Sequence, residues 1–181
     1  MDLNLKNRKI IITGSGDGIG RALALAFATE GAQIAACARS QERLDSLSRE
    51  IEGDGHLFFS TDLSTAKGVE SFHKNIMNQL GQVDVLINNV GAILKLANFF
   101  ELTDQDWEDS FQINLMSAVR LSRHCIPSLK QSKCARIINI SSIAAATPQE
   151  VFPHYSAMKA GLSNLTVSLA QTLAPDKILV N

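Results

Sequence analysis

The segment "KIIITGSGDGIGRALALAFATEG", residues 9–31, contains the pattern from which the fold of this chain can be inferred. Its β-branched run, residues 9–13, ends in glycines and predicts a buried strand followed by a tight turn. Residues 19–30 are rich in alanine and leucine, which favours a helix that ends at Gly31. At such a junction glycines let the backbone approach a pyrophosphate, and the helix N-terminus attracts it. A plain loop is the alternative, but the strand-to-helix position favours a dinucleotide site.

The same alternation of strand and helix patterns continues to the end of the sequence. Apolar runs predict further strands at residues 33–38, 57–63, 83–91, 135–142 and 177–180. Amphipathic or alanine-rich segments predict further helices at residues 39–53, 67–81, 103 to about 127, and 154–174. Thr103 and Asp106 have the spacing of a capping box at the start of the third of these helices.

This order of elements predicts an α/β fold. Each right-handed crossover places a helix on one face of a parallel sheet, and the nearly continuous apolar strands indicate that both faces are covered. We therefore expect one domain over residues 1–181, a three-layer doubly wound parallel sheet of the Rossmann type. Ligands bind such sheets at the carboxyl ends of the strands.

Composition excludes several classes of function. The 17 basic and 18 acidic side chains nearly balance, so nothing indicates a nucleic-acid surface. No apolar stretch is long enough to cross a membrane or to form a signal peptide. Three cysteines without CxxC spacing predict free thiols, and the scattered histidines predict no metal site. We expect a cytoplasmic protein that binds neither nucleic acid nor membrane.

The residue after the second predicted strand bears on the choice of cofactor. The usual fingerprint has an acidic residue there, about 20 residues after the glycines, to bind the ribose 2′-hydroxyl. This chain has Arg39, which would pair with a 2′-phosphate, so NADP(H) is favoured over NAD(H). A solvated arginine is the alternative. Asp17, in the glycine turn, could lie near the same phosphate and weaken its binding.

The only tyrosine, Tyr155, lies four residues before Lys159, so the two side chains share one helix face. Ordinary helix surface would also explain that spacing. Further motifs, however, give the chain an overall resemblance to the classical short-chain dehydrogenases/reductases. In chain order they are Thr13-Gly14 with Gly18-Ile19-Gly20, Asp62-Leu63, Asn88-Asn89-Val90-Gly91, Asn114, Ser142, and Tyr155 with Lys159. Val90 departs from the family, which usually has alanine there.

The resemblance implies a hydride transfer between NADP(H) and a carbonyl or secondary-alcohol substrate. It implies Tyr155 as the general acid and base, Lys159 as its electrostatic partner and a ligand of the nicotinamide ribose, Ser142 as a hydrogen-bond partner of the substrate oxygen, and Asn114 as the support of a proton-relay water. The cofactor-binding residues it implies are Gly14, Ser15, Gly18, Ile19, Gly20, Arg39, Asp62, Leu63, Asn89, Gly91, Tyr155 and Lys159.

Some expectations are less sharply defined. Mainly apolar residues near Ser142, Tyr155 and the fourth strand favour a hydrophobic ketone or a 3-oxoacyl group. A dinucleotide-binding sensor without turnover is the alternative function, although it would not need the Tyr155–Lys159 pair. His154, next to Tyr155, is expected to be a polar cap at a helix start, and tuning of a proton transfer is the alternative. Compared with the family, the sequence ends in the sixth strand, and we expect it to lack the last strand and the substrate lid. The resemblance also implies a homodimer or homotetramer.

Overall fold

The sheet is built from six parallel strands, and the computed structural model that contains it describes residues 3–181. The strands are β1 (Lys9–Thr13), β2 (Gln33–Ala38), β3 (Leu57–Ser60), β4 (Val85–Asn88), β5 (Arg136–Asn139) and β6 (Leu179–Val180). The helices are α1 (Gly18–Thr29), α2 (Gln41–Glu50), α3 (Ala66–Leu80), α4 (Asp104–Phe111), α5 (Ser117–Leu129) and α6 (Pro153–Leu173). Every strand and helix predicted from the sequence is present.

The strand order is β3-β2-β1-β4-β5-β6, so the chain winds outward from β1 in one direction and from β4 in the other. The predicted doubly wound parallel α/β sheet is thus confirmed. Connections reverse direction between β1 and β4, and the carboxyl ends of those neighbouring strands leave a crevice between their loops. Every functional residue predicted from the sequence lies in a segment that follows a strand or in a helix beside this crevice.

Two apolar layers hold the helices to the sheet. In β1, Ile10 and Ile12 face one layer with α1 and α2, whereas Ile11 faces the other layer with α3 and α5. This alternation follows from the two-residue period of a strand, and both faces of β1 are buried because parallel crossovers cover both. On the second side Phe72 lies edge-on to Phe59, with ring centroids 5.5 Å apart.

The long helix predicted from Thr103 is interrupted. A π-helical segment, Gln112–Met116, separates α4 from α5, and α5 continues through Pro127 to Leu129. Sequence periodicity does not reveal such a segment, because one widened turn leaves the overall spacing of apolar residues almost unchanged. The capping box is confirmed, since Asp106 accepts from the backbone N–H of Thr103 at 2.8 Å and Thr103 accepts from that of Asp106 at 3.2 Å.

The cysteines are free, as predicted. Cys37 and Cys125 are buried and Cys134 is half-buried. Burial raises the pKa of the Cys37 and Cys125 thiols to about 12, so both stay protonated at neutral pH. Within residues 3–181, no helix combines the length and apolarity needed to cross a bilayer.

We predict that Phe72→Ala lowers the free energy of unfolding by about 3–5 kcal/mol, because it removes a fully buried ring from the layer under α3. Phe100→Ala is the matched control: that ring is 93% exposed, and its loss should change stability by less than about 0.5 kcal/mol. Urea unfolding of both variants measures the difference. Equal losses would contradict the assigned core.

Candidate active site

A cleft of about 740 Å³ opens at the carboxyl ends of the strands. It is lined by these residues predicted to form the site: Gly14, Ile19, Arg39, Asp62, Leu63, Asn89, Gly91, Tyr155 and Lys159. Ser15, Gly18, Gly20, Asn114 and Ser142 do not line it but lie in the segments that build its walls. The cleft therefore brings together residues from four loops and two helices.

The turn from β1 to α1 is packed too tightly for side chains. Gly14 has a φ of +69°, which favours glycine, and a Cβ on Gly20 would overlap the Gly14 carbonyl oxygen. Ser15 is buried and faces the sheet: its hydroxyl donates to the Ile12 carbonyl at 2.7 Å, and its N–H donates to the Cys37 carbonyl at 2.9 Å. Ser15 therefore braces the turn from the side of the sheet, and Gly14, Gly16, Asp17 and Ile19 of the same turn line the cleft.

The ends of β1 and β4 are joined by side-chain hydrogen bonds. The Thr13 hydroxyl accepts from the backbone N–H groups of Asn89 and Val90 at 2.9 and 3.0 Å and donates to the Ile87 carbonyl at 3.3 Å. The Asn89 amide donates to the Thr13 carbonyl at 2.9 Å and to that of Gly14 at 3.3 Å. Asn89 thus fixes the floor of the cleft at the point where strand order reverses.

The cleft ends at the start of α2 in a group of charged side chains. Arg39 is exposed, and within residues 3–181 its guanidinium has no hydrogen-bond or ion-pair partner. Asp17 pairs with Arg43 at 3.0 Å, with both side chains mostly exposed. Local sequence patterns do not reveal the Asp17–Arg43 pair, because its partners are 26 positions apart in two different helical segments.

Asp62 and Leu63 follow β3 and border the same end of the cleft. The Asp62 carboxylate accepts from the Ser64 N–H at 2.9 Å, which shapes the loop, and Leu63 is buried against the core. An apolar wall and a fixed loop at this place suit a flat aromatic ring.

At the opposite end lie Tyr155 and Lys159. The Lys159 ammonium is 5.8 Å from the centroid of the Tyr155 ring and donates to the Ile140 carbonyl at 2.8 Å. Lys159 is only 3% exposed, and burial lowers its pKa from 10.5 to about 8, so it is still mostly protonated at neutral pH. The i, i+4 spacing seen in the sequence therefore does bring the cation beside the phenol.

Asn114 lies in the π-helical segment, buried behind the cleft. Its amide oxygen accepts from the Ala92 N–H at 2.8 Å, and its nitrogen donates to the Ala92 carbonyl at 3.0 Å. A Cβ on Gly91 would lie about 3 Å from both the Lys159 Nζ and the Asn114 Oδ1 atoms. Gly91 is therefore the point where the β4 loop, Asn114 and Lys159 meet.

The two serines after β5 have different environments. The Ser142 hydroxyl accepts from the Ala144 N–H at 3.1 Å and caps the short 3₁₀ turn Ile143–Ala145. Ser141 lines the cleft, but its hydroxyl is shared with that of Ser163 at 2.7 Å. Of the two, Ser142 has a hydroxyl hydrogen without an acceptor among residues 3–181.

His154 lies at the start of α6 but is not the polar cap that was expected there. It is 0% exposed, caps no backbone group and packs edge-on against Trp107, with ring centroids 6.2 Å apart. The expectation of a cap was wrong because contact with α4 buries the ring, and local sequence patterns do not show where α4 lies. A single tryptophan in α4 gave no signal of the contact.

Comparison with known proteins identifies relatives along the whole described chain. A sequence model described as short chain dehydrogenase matches residues 8–181. The chain is 36% identical over 182 residues to the uncharacterized oxidoreductase YvrD of Bacillus subtilis (strain 168), covering 100% of this chain and 68% of that protein.

Two solved structures are similar as well. L-sorbose reductase from Gluconobacter frateurii, complexed with NADPH and L-sorbose, superposes with a TM-score of 0.93 at 32% identity, over 100% of this chain and 70% of that one. A 3-ketoacyl-(acyl-carrier-protein) reductase from Brucella melitensis, complexed with NADH, superposes with a TM-score of 0.91 at 29% identity. The match covers 97% of this chain and 74% of that one.

The buried Lys159 predicts a measurable cost in stability. At about 1.4 kcal/mol per pH unit, the lowered pKa corresponds to a cost of about 3 kcal/mol for burying the ammonium. Lys159→Met removes this cost but also removes the hydrogen bond to the Ile140 carbonyl, which contributes about 1 kcal/mol. The substitution should therefore stabilise the protein by about 2 kcal/mol near pH 7. The cost is fully present below the folded pKa of about 8 and is relieved as pH rises toward 10.5, so the wild type should gain stability over that range.

Chemical unfolding of the wild type and Lys159→Met across this pH range measures both effects. Lys74→Met, which removes an exposed lysine from α3, is the control and should change stability by less than about 0.5 kcal/mol. A Lys159→Met variant that is less stable than the wild type near neutral pH, with the same pH slope, would contradict the assigned penalty.

Proposed function

Because the chain belongs to the short-chain dehydrogenase family, we propose that it transfers a hydride between NADP(H) and a carbonyl or secondary-alcohol substrate, with Tyr155 as the general acid and base. The observation that carries this proposal is the Tyr155–Lys159 pair inside the cleft at the carboxyl ends of the strands. A protein that only binds a dinucleotide needs the glycine turn but has no use for a buried, partly desolvated ammonium beside a phenol.

The residues present fit a nicotinamide dinucleotide phosphate. The glycine turn lines the cleft at Gly14 and Gly16 and leads into the N-terminus of α1, where a pyrophosphate would be bound. Leu63 and Asp62 would border the adenine, and the unpartnered Arg39 would bind the 2′-phosphate. Gly91 and Lys159 would line the nicotinamide ribose. When bound, the nicotinamide supplies or accepts the hydride.

Tyr155 would move the proton that accompanies the hydride. In reduction its hydroxyl donates a proton to the substrate oxygen, which becomes the alcohol, and a phenolate remains; in oxidation the phenolate takes the proton back. The Lys159 ammonium would stabilise the phenolate by its charge, and because the ammonium is itself buried, its field is screened less than that of an exposed lysine. Protonated at neutral pH, Lys159 is able to perform this role.

Ser142 and Asn114 would support that step. The Ser142 oxygen already accepts from the Ala144 N–H, so its own hydrogen is left to donate to the substrate oxygen and orient it toward Tyr155. Asn114 holds the β4 loop beside Lys159 through its two bonds to Ala92. In this role it keeps the ammonium and the loop in register, and a water held there would carry protons to solvent.

Exposed apolar residues around the catalytic end support a hydrophobic substrate. Ile143, Leu96 and Val151 are exposed and come from the segments that flank Tyr155 and follow β4. Apolar side chains that gain no burial in the fold can gain it from a ligand. We propose a hydrophobic ketone or 3-oxoacyl group, in line with the similar 3-ketoacyl-carrier-protein reductase, while the similar L-sorbose reductase makes a sugar ketone the natural comparison in an assay.

Tyr155→Phe should lower kcat by at least about 100-fold, because general acid–base catalysis contributes roughly that much or more. The affinity for NADPH should stay within about threefold, since the ring and its edge-on contact with Phe152 are retained. NADPH oxidation against a panel of aliphatic ketones, 3-oxoacyl thioesters and ketoses measures the first value, and cofactor fluorescence measures the second.

Two outcomes would overturn the assignment. If Tyr155→Phe kept the kcat of the wild type, Tyr155 would not be the general acid and base. Tight NADPH binding by the wild type with no turnover on any member of the panel would instead favour the dinucleotide-sensing alternative.

The proposed preference for NADP(H) is tested at Arg39. Arg39→Ala should raise the dissociation constant of NADPH by about 10-fold or more, because a charge-assisted hydrogen bond contributes roughly 1.5–3 kcal/mol, and should leave that of NADH nearly unchanged. Arg49→Ala, an exposed arginine in the last turn of α2, is the control. Equal weakening of both cofactors would contradict a role in binding the 2′-phosphate.

A further inference from the structure

His154 is buried in an unusual way for a histidine. It is completely inaccessible, and within residues 3–181 neither ring nitrogen has a hydrogen-bond partner. Its ring lies against Trp107 in α4, with centroids 6.2 Å apart and an interplanar angle of 70°. A buried imidazole without partners is costly, so the position is held by packing of the ring and not by its polarity.

The charged groups whose fields reach His154 are already engaged with each other. Lys95, in the loop after β4, pairs with Asp106 at 2.8 Å, and Asp106 also caps α4 through Thr103. Their opposite charges act on His154 in opposite directions, and burial is the larger effect, so the pKa of His154 lies below its ordinary value of 6.5. An imidazolium formed here would find no free acceptor among these residues.

His154 contributes to fixing the start of α6. Phe152, the residue before the helix, makes no side-chain cap. The first turn is also held by the Phe152–Tyr155 ring contact and by the bond from the Ser156 N–H to the Phe152 carbonyl at 3.1 Å, and just before it the Ala97 N–H donates to the Val151 carbonyl. His154 directly precedes Tyr155. A shift of the imidazole away from Trp107 therefore moves the backbone that carries the phenol.

We propose that His154 is a positioning residue: as a neutral ring packed on Trp107 it holds the first turn of α6 and hence Tyr155, and its protonation releases that turn, so that activity falls on the acid side of neutrality. The kinetic part of this inference rests on the proposed function; the structural part does not. Protonation adds a full charge in a place without acceptors, so the imidazolium must move toward water.

The sign of the stability effect follows from the direction of the pKa. Because the folded pKa lies below the unfolded one, the stability associated with neutral His154 is fully present above pH 6.5 and is lost as the pH falls through the folded value. The pKa of His73, on α3, is also lowered, by burial and by the nearby His124. His73 provides a matched control, since its ring stacks on His124 and not on Trp107.

Trp107 gives a direct readout, because it is the only tryptophan in the chain and an imidazolium in contact with an indole quenches its fluorescence. A pH titration of the purified protein should show a quenching transition with a midpoint below 6.5, retained in His73→Phe and absent in His154→Phe. The same transition in His154→Phe would overturn the proposal. Should His154→Phe fail to fold, His154→Gln, which also cannot be protonated, serves in its place with the same expected result.

The kinetic test separates positioning from mere stability. Wild-type kcat should fall with the same midpoint as the fluorescence, whereas His154→Phe, which keeps an aromatic ring against Trp107, should lack that acid limb. His154→Ala should lose at least about 10-fold in kcat at every pH, with a smaller change in KM, because the phenol is displaced.

The matched variant His73→Ala should show neither kinetic effect. The inference would be overturned if kcat fell at acid pH with the same midpoint in the wild type and in His154→Phe. Equal kcat values in His154→Ala and His73→Ala would also overturn it. A protein with no turnover would refute the proposed function, and the fluorescence titration would still decide whether His154 is protonated against Trp107.

Discussion

The side-chain hydrogen bonds of Thr13 and Asn89, which join the ends of β1 and β4, are the interaction on which the site depends. At this reversal of strand order two chain segments leave the sheet in different directions, and the pairing of β1 with β4 ends at Ile12 and Ile87. Thr13 accepts two backbone N–H groups from the β4 loop, and Asn89 returns a bond to the β1 end. The glycine turn and Gly91 are thereby held on opposite sides of one cleft.

Polar burial at the catalytic end opposes stability. Lys159 is buried as a cation with the Ile140 carbonyl as its hydrogen-bond acceptor, and His154 is buried with no acceptor or donor among residues 3–181. A core designed for stability alone would contain neither. Both lie within four residues of Tyr155, so the unfavourable groups are concentrated at the proposed general acid and base. Such local costs are typical of functional sites and are borne by the two extensive apolar layers of the sheet.

Much of the fold follows from local sequence. The run of residues 9–31 determines its own strand, turn and helix, because glycine, β-branched and alanine patterns act over a few residues, and alternation then implies a parallel sheet. The Tyr155–Lys159 contact was predictable for the same reason, as helix periodicity alone brings the two together. His154 and the ion pair of Asp17 with Arg43 were not, since burial and pairing there come from segments far away in sequence. The π-helical turn around Asn114 was hidden because it hardly alters apolar spacing.

A crystal structure of the protein with NADP(H) would show directly whether the cleft holds the cofactor with its nicotinamide beside Tyr155. We predict the pyrophosphate on the turn at Gly14, the 2′-phosphate on Arg39, and the nicotinamide ring facing the Tyr155 hydroxyl with Lys159 on its ribose. A cofactor bound outside the cleft would contradict the proposed hydride transfer. So would a Tyr155 hydroxyl directed away from the nicotinamide while Lys159 contacts only Ile140.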